Sequence, residues 1–219
     1  MGGVTLYGHP QSPYVRRALM AFYEMGVQDF DFKVVSSSKG DTKTDEYLAM
    51  NPFAKMPLLD DNGQYLYESR AIMRYIAEKH AGESSSDLVG KDPLERALVN
   101  QWVDVEGHSV TEQVVVVVEE NFLKKLMGTG EPDKDRADAA KEKLARLFDV
   151  YEKHLEGREY LVGGRFTLAD LTHLPYTELL PHAGAAELIS SRPNMSKWWE
   201  RISSRPAWKK VQQLEAKLS

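Results

Sequence analysis

The sequence predicts two domains of different class, an α/β domain with four strands followed by an all-α domain. Three observations predict this division: apolar strands alternate with helical patterns over residues 3–80, small polar residues dominate the next stretch, and the later patterns are helical. We therefore expect an α/β domain over residues 1–81, a linker over 82–91 and a helical domain over 92–219. The expected order of elements in the first domain is βαβαββα.

Local signals define each element of the α/β domain. Residues 4–7 alternate between two faces up to Gly8, which predicts a strand. Ser12 and Pro13 are the preferred N-cap and N1 residues of a helix, which we expect to stop near Gly26. The elements expected after it are a strand over 30–34, a helix over 45–50, two strands over 57–59 and 64–67 joined by a turn over 60–63, and a helix over 69–79.

Helical spacing continues through the second domain. Residues 92–95 have the pattern of a capping box with proline at N1. Apolar residues then recur at spacings of three or four, as expected of the buried side of a helix. They are Leu94, Leu98, Trp102 and Val105.

Two further patterns in this domain need interpretation. The valines at 114–118 have strand propensity, but a lone strand among helices has no partner for its edge, so we expect a helix. Residues 167–170 form a second capping box, with Phe166 and Leu171 placed as its hydrophobic staple, and we interpret it as structural. The remaining helical segments are expected over 144–155, 193–204 and 207–218.

Composition and charge exclude several classes of function. With 28 Lys and Arg against 33 Asp and Glu, the net charge is −5, which argues against nucleic acid or an anionic membrane as a partner. The absence of cysteine excludes disulfide scaffolds, cysteine nucleophiles and cysteine-ligated metals, and the six histidines lack metal-binding spacing, so we expect no metal. No segment has the length of a membrane span and the first residues lack the pattern of a signal peptide, so we expect a cytoplasmic protein.

Ser12 is the first residue whose position suggests chemistry. A hydroxyl at a helix N-terminus, where the dipole favours negative charge, stabilises a thiolate bound beside it. A free thiol has a pKa of about 8.5, and a helix N-terminus lowers that value. The alternative is that Ser12 only caps its helix. Tyr7 at the end of the first strand is a rival donor, whose own alternative is a half-buried strand aromatic.

Glu68 and Ser69 stand at a second helix N-terminus. Backbone N–H groups there bind carboxylates, with Ser69 as the expected N-cap, while Glu68 is suited to hold a cationic amine. The pair therefore fits the zwitterionic head of an amino acid, and the alternative is again a capped helix.

The segment before the third strand offers backbone groups and positive charge. A cis bond between Met56 and Pro57 is one way to turn the Met56 N–H and C=O toward an extended peptide. Lys43 and Lys55 flank these elements, where a second carboxylate is a possible partner and ordinary solvation is the alternative.

Five segments, taken together, resemble the glutathione transferase family. They are residues 6–12, 51–57, 67–72, 167–171 and 192–208, in this order along nearly the whole chain. The third and last are most similar to the plant phi class, in which a serine activates the thiol. The resemblance implies a thioredoxin-like N-terminal domain packed on a helical C-terminal domain, a homodimer, and glutathione as a cosubstrate without any other cofactor.

The resemblance also implies roles for individual residues. Ser12 donates a hydrogen bond to the glutathione thiolate, and Glu68 and Ser69 hold the γ-glutamyl head. Met56, before a cis Pro57, pairs with the cysteinyl backbone. The residues implied at the glycyl carboxylate are Thr42, Lys43 and Lys55.

Three residues depart from the phi pattern. Thr42 stands where histidine is common and Lys55 where glutamine is common, both at the glycyl end of glutathione. We therefore expect the affinity for glutathione to differ while thiolate activation does not. Ala54 replaces the usual glycine, which we interpret as a tolerated loop change.

The expected function is transfer of the glutathione thiolate to small apolar electrophiles, as in detoxification. The residues expected at the electrophile are Gln11, Pro13, Tyr14 and Tyr176. A peroxidase of organic hydroperoxides and a low-turnover carrier of apolar ligands are the alternatives. On the first long helix, Asp104 and Glu106 are candidates for contacts across the dimer.

Overall fold

The computed structural model describes residues 3–82 and 87–218, with side chains up to residue 214. By their contacts the residues divide into an N-terminal unit, Met1–Val89 with Arg205–Ser219, and a helical unit, Gly90–Ser204. The last helix thus groups with the N-terminal unit, although the sequence assigns it to the helical domain. Residues 83–86 of the expected linker lie outside the described residues, and the domain limits stay a prediction.

The N-terminal unit contains a four-stranded mixed sheet in the order β2-β1-β3-β4. Its strands are β1 (Val4–Gly8), β2 (Asp31–Val34), β3 (Leu58–Asp61) and β4 (Gln64–Tyr67). β1 runs parallel to β2 and antiparallel to β3, and β4 runs antiparallel to β3. The predicted strands are confirmed, except that β3 extends to Asp61. The turn is the pair Asn62 and Gly63, whose φ values of 55° and 84° suit a two-residue hairpin.

The register brings four chain segments to one edge of the sheet. Gly8 pairs with Val34 in the parallel ladder, and Leu58 faces Tyr7 on one side and Tyr67 on the other. The segments that follow β1, β2 and β4 therefore meet the segment that precedes β3. This edge is where residues distant in sequence come together.

Four helices belong to the N-terminal unit. They are α1 (Pro13–Glu24), α2 (Asp45–Met50), α3 (Ser69–Lys79) and α12 (Pro206–Leu218). α1 packs against α3 and α12, and its predicted apolar stripe is buried. α1 also carries two buried arginines, Arg16 and Arg17, of which Arg16 lies over the Trp208 ring of α12 at 4.6 Å.

The helical unit begins with a long helix that changes its winding twice. Helix α4 (Pro93–Val105) is joined to α5 (Thr111–Val118) by the π-helical turn Glu106–Val110. Helix α5 is joined to α6 (Lys124–Met127) by the π-helical turn Glu119–Leu123. Valines 114–118 lie in α5, which packs on α7 (Lys134–His154), so the helix prediction is confirmed. The helices are α4 (Pro93–Val105), α5 (Thr111–Val118), α6 (Lys124–Met127), α7 (Lys134–His154), α8 (Leu168–Leu171), α9 (Leu174–Thr177), α10 (Glu187–Ser190) and α11 (Pro193–Ser203). Among the described residues, none of the helices combines the length and apolar character that a bilayer crossing requires.

Two expectations for the long helix are wrong. Leu94 and Leu98, placed on the buried stripe, are 71% and 39% exposed. Glu106, a candidate for contacts across a dimer, is buried and accepts hydrogen bonds from the hydroxyls of Thr111 and Thr172 within the helical unit. A carboxylate satisfied in this way does not reach outward.

The capping box at the start of α8 is confirmed and forms a buried polar centre. The Asp170 carboxylate accepts from the backbone N–H groups of Leu161 and Thr167, both at 3.0 Å, and from the Trp198 indole at 2.9 Å. Burial raises the pKa of Asp170 to about 6, while these donors act in the opposite direction. One carboxylate thus joins the loop before α8, the cap of α8 and helix α11.

Candidate active site

An open cleft of about 720 Å³ lies at the sheet edge where the four strand ends meet. Its lining comes from the segments 9–14, 36–38, 51–57 and 67–69, which adjoin β1, β2, β3 and β4 in turn. The volume lies within the range of about 300–1,000 Å³ that small-molecule sites occupy. We therefore take this cleft as the candidate active site.

Ser12 lines the cleft at the N-terminus of α1. It is the N-cap residue, with an extended backbone and Pro13 at N1, as predicted. Its backbone N–H donates to the His9 carbonyl at 2.9 Å, which fixes the turn into the helix. Its hydroxyl oxygen accepts no capping hydrogen bond from the N–H groups of the helix, so the hydroxyl is not held in a cap. The hydroxyl and the helix dipole together favour an anion at this point of the cleft.

Tyr7, the rival donor, is not among the residues that line the cleft. Its hydroxyl accepts from Lys33 Nζ on the neighbouring strand at 3.4 Å. Its ring packs edge-on against Tyr47, with 6.5 Å between the ring centroids. The geometry therefore favours Ser12 over Tyr7 as the donor to a bound anion.

Buried side chains hold the segment before β3 in place. Asn51 donates from Nδ2 to the Lys55 carbonyl at 2.7 Å and accepts from the Phe53 N–H at 3.1 Å. The Tyr47 hydroxyl donates to the same Lys55 carbonyl at 2.8 Å. Burial, and to a lesser degree the neighbouring Tyr7, raises the pKa of Tyr47 to about 12, so this phenol remains a donor at neutral pH. The backbone from which Lys55 projects is thus well fixed.

Met56 and Pro57 line the cleft, and the bond between them is cis, as the resemblance implies. Ala54 adopts a φ of 54°, in the left-handed region where glycine is the least strained residue. Alanine is therefore more strained there than glycine would be, and tolerance of the change stays a prediction.

Glu68 and Ser69 line the cleft at the start of α3, but their expected capping roles are reversed. Glu68 is the N-cap residue, and Ser69 is the first residue of the helix. Glu68 has a φ of 71°, a conformation that is rare outside glycine and concentrates at functional sites. Because no side chain caps α3, its first N–H groups are not occupied by a cap. The Ser69 hydroxyl accepts instead from Nη1 of the buried Arg17, at 2.9 Å.

The three residues expected at a glycyl carboxylate are not brought together. Lys55 lines the cleft, whereas Thr42 and Lys43 do not. Thr42 is buried in the 3-10 turn Asp41–Lys43, and its hydroxyl lies 3.5 Å from that of Ser37. Among the described residues that line the cleft, Lys55 is the one with an ammonium group and Glu68 is the one with a carboxylate.

The residues expected at the electrophile are also divided. Gln11 and Tyr14 line the cleft, and Tyr14 is 39% exposed. Pro13, the first residue of α1, does not line it. Tyr176 belongs to α9 of the helical unit, where it is buried.

Sequence reasoning missed several lining residues, above all His9 and the serines at 36–38. A signal for the serines exists, because they follow a strand parallel to β1 and so end at the same edge. Across the described ranges, no group of three or more His, Asp or Glu residues is arranged to hold a metal ion.

Family models match both parts of the chain. The model described as glutathione S-transferase, N-terminal domain, matches residues 6–84, and the model of the C-terminal domain matches residues 110–206. Among curated proteins, glutathione S-transferase F10 of Arabidopsis thaliana is 43% identical over 95% of each chain. Glutathione S-transferase 3 of Zea mays is 38% identical over 96% of this chain and 94% of its own.

Solved structures give the same result. Glutathione transferase F7 from Populus trichocarpa has a TM-score of 0.90 and 39% identity, covering 97% of this chain and 99% of its own. Glutathione S-transferase I from mais, solved with an atrazine glutathione conjugate, has a TM-score of 0.89 and 30% identity, covering 99% and 100%. The F-type plant relatives agree with the resemblance to the phi class. The chain belongs to the glutathione S-transferase family.

Proposed function

We propose that this chain conjugates the glutathione thiolate to small apolar electrophiles. The observation that carries the proposal is the Ser12 hydroxyl, which lines the cleft at the N-terminus of α1 without serving as a cap. In the reaction the thiol loses its proton, the sulfur forms a bond with the electrophilic carbon, and the leaving group departs with the electron pair of its bond. The protein supplies orientation and electrostatic stabilisation, and the nucleophile belongs to the cosubstrate.

In this proposal glutathione lies across the strand ends, with its γ-glutamyl head at α3. Its α-carboxylate meets Ser69 and the first N–H groups of α3, while Glu68 faces the amine. Met56, before Pro57, pairs with the cysteinyl backbone. The antiparallel pairing of β3 with β4 supports this order, because it puts the segment before β3 beside the segment after β4.

The glycyl carboxylate is assigned to Lys55 rather than to Thr42 or Lys43. The reason is that Lys55 lines the cleft and the other two do not. Gln11 and Tyr14 lie on either side of Ser12 in the sequence and line the cleft, so they are assigned to the electrophile. In these assignments Ser12 activates the thiolate, while the residues at the two ends of the tripeptide determine the affinity for glutathione.

The relatives support an apolar second substrate. The mais protein named above was solved with an atrazine glutathione conjugate. The family resemblance supports three further parts of the same proposal: a homodimer, a cytoplasmic location and a role in detoxification.

We expect Glu68→Gln to weaken glutathione binding about tenfold, because the amine of the γ-glutamyl head loses a charge-assisted hydrogen bond. The turnover number should change little, since the reacting sulfur lies at the other helix. Steady-state kinetics in glutathione measure both quantities. Glu78→Gln, on the exposed side of the same helix, is the matched control and should retain the wild-type KM. An equal effect of both substitutions would remove Glu68 from the site.

The experiment that tests the function is conjugation of glutathione to 1-chloro-2,4-dinitrobenzene by the purified chain. Product formation that saturates in both substrates is the expected result. Glutathione binding without turnover of this or other electrophiles would favour the carrier. Turnover confined to organic hydroperoxides would favour the peroxidase.

A further inference from the structure

Arg17 and Ser69 form a buried hydrogen bond behind the wall of the cleft. Arg17 lies on α1 with no exposed surface, and its Nη1 donates to Ser69 Oγ at 2.9 Å. Ser69 lines the cleft and is itself only 4% exposed. The guanidinium of Arg17 also lies 5.9 Å from the ring centroid of Tyr14, another lining residue. One buried cation thus contacts two residues of the cleft without lining it.

This bond determines where the hydroxyl hydrogen of Ser69 points. A guanidinium only donates, so the Ser69 oxygen accepts with a lone pair and its own hydrogen must point away from Arg17. A serine inside a helix often donates to the carbonyl four residues earlier. For Ser69, the first residue of α3, that carbonyl belongs to Tyr65 of β4 and not to a preceding helical turn. The hydrogen is therefore available to an acceptor in the cleft, which Ser69 lines.

We propose that Arg17 is a positioning residue for carboxylate recognition: it holds the Ser69 hydroxyl as a donor to the α-carboxylate of the γ-glutamyl head. The inference rests on the proposed function, because it requires a carboxylate at Ser69.

α1 provides a matched control for this proposal. Arg16 is the neighbouring residue, has the same charge and is 3% exposed, but its guanidinium faces the Trp208 ring. Removing either arginine takes a buried cation from the same helix. Only removal of Arg17 should change the binding of a carboxylate.

The test is the Kd of glutathione, measured by titration calorimetry on folded variants. Ser69→Ala and Arg17→Met should each weaken binding about tenfold, the cost of a hydrogen bond to a charged group. The double variant should bind no more weakly than either single one, because Arg17 acts through Ser69. Arg17→Lys, which keeps the charge but loses the planar fork, should weaken binding about threefold. Arg16→Met should bind as the wild type does.

A second cosubstrate keeps the test decisive if Arg17→Met does not fold. For 4-aminobutanoyl-cysteinyl-glycine, which is glutathione without its α-carboxylate, Ser69→Ala and Arg17→Lys should have the wild-type Kd. Equal losses for both peptides, no loss for glutathione in either Arg17 variant, or full additivity in the double variant would overturn the role of Arg17. An unchanged Kd in Ser69→Ala would instead overturn the proposed carboxylate site.

Discussion

Ser12→Ala is expected to lower kcat/KM for glutathione conjugation about a hundredfold at neutral pH. Removing one preorganised donor from a developing or bound anion typically costs about 10²–10³ in rate. The Ser12 hydroxyl lines the cleft and makes no capping hydrogen bond, so its loss should affect the anion and leave the stability of α1 nearly unchanged. Initial rates with 1-chloro-2,4-dinitrobenzene at saturating electrophile measure the effect.

The pH profile distinguishes thiolate activation from a general loss of activity. The wild type should follow the depressed thiol pKa, and Ser12→Ala should reach its plateau at a higher pH, near the ordinary value of about 8.5. The gap between the two proteins should therefore narrow as the pH rises. Tyr7→Phe is the control, because Tyr7 does not line the cleft, and its profile should match that of the wild type. Loss of activity in Tyr7→Phe alone would move the chemistry to the tyrosine.

Asp170→Asn is expected to lower the free energy of unfolding by about 3 kcal/mol. The Asp170 carboxylate receives two backbone N–H groups and the Trp198 indole N–H, and an amide nitrogen would face at least one of these donors without an acceptor. The cap of α8 would also lose its reciprocal hydrogen bond. Urea unfolding above neutral pH, where the group is ionised, measures the change.

Asp149→Asn is the matched control for that substitution. Asp149 forms an ion pair with Arg192 at 2.7 Å, but its side chain is 62% exposed. The Arg192 side chain is only 13% exposed, but it keeps its hydrogen bonds to the Leu188 and Ala145 carbonyls when Asp149 is replaced. The solvated carboxylate itself contributes about 0–1 kcal/mol, so this variant should unfold close to the wild type. Similar small losses in both variants would show that Asp170 is not a structural centre of the helical unit.

Elements with strong local signals could be predicted from the sequence. The Ser12-Pro13 start of α1 and the capping box at Thr167 depend on residues within a few positions of each other, and both are confirmed. The valines at 114–118 have the propensity of a strand but form part of helix α5. The neighbouring helical patterns predict a helix there, because a strand would have no neighbour with which to pair, and the structure confirms this prediction.

The cleft could be predicted only in part, because it depends on sheet register. The serines at 36–38 line it since β2 is parallel to β1, a relation that no local pattern reveals. The cap of α3 was misassigned to Ser69 because Glu68 has a positive φ that sequence preference disfavours. Thr42 matches a position of the family pattern but is buried in the 3-10 turn Asp41–Lys43, so its place in the motif does not ensure access to the cleft.

The most direct test of the account is the pKa of the glutathione thiol when it is bound to the protein. Ultraviolet absorbance of the thiolate, titrated with pH in the binary complex, measures it for the wild type and for Ser12→Ala. The account predicts a wild-type pKa at least one unit below the free value of about 8.5 and a return toward that value in Ser12→Ala. A wild-type thiol that titrates as free glutathione does, or a depressed pKa that persists without the Ser12 hydroxyl, would contradict it.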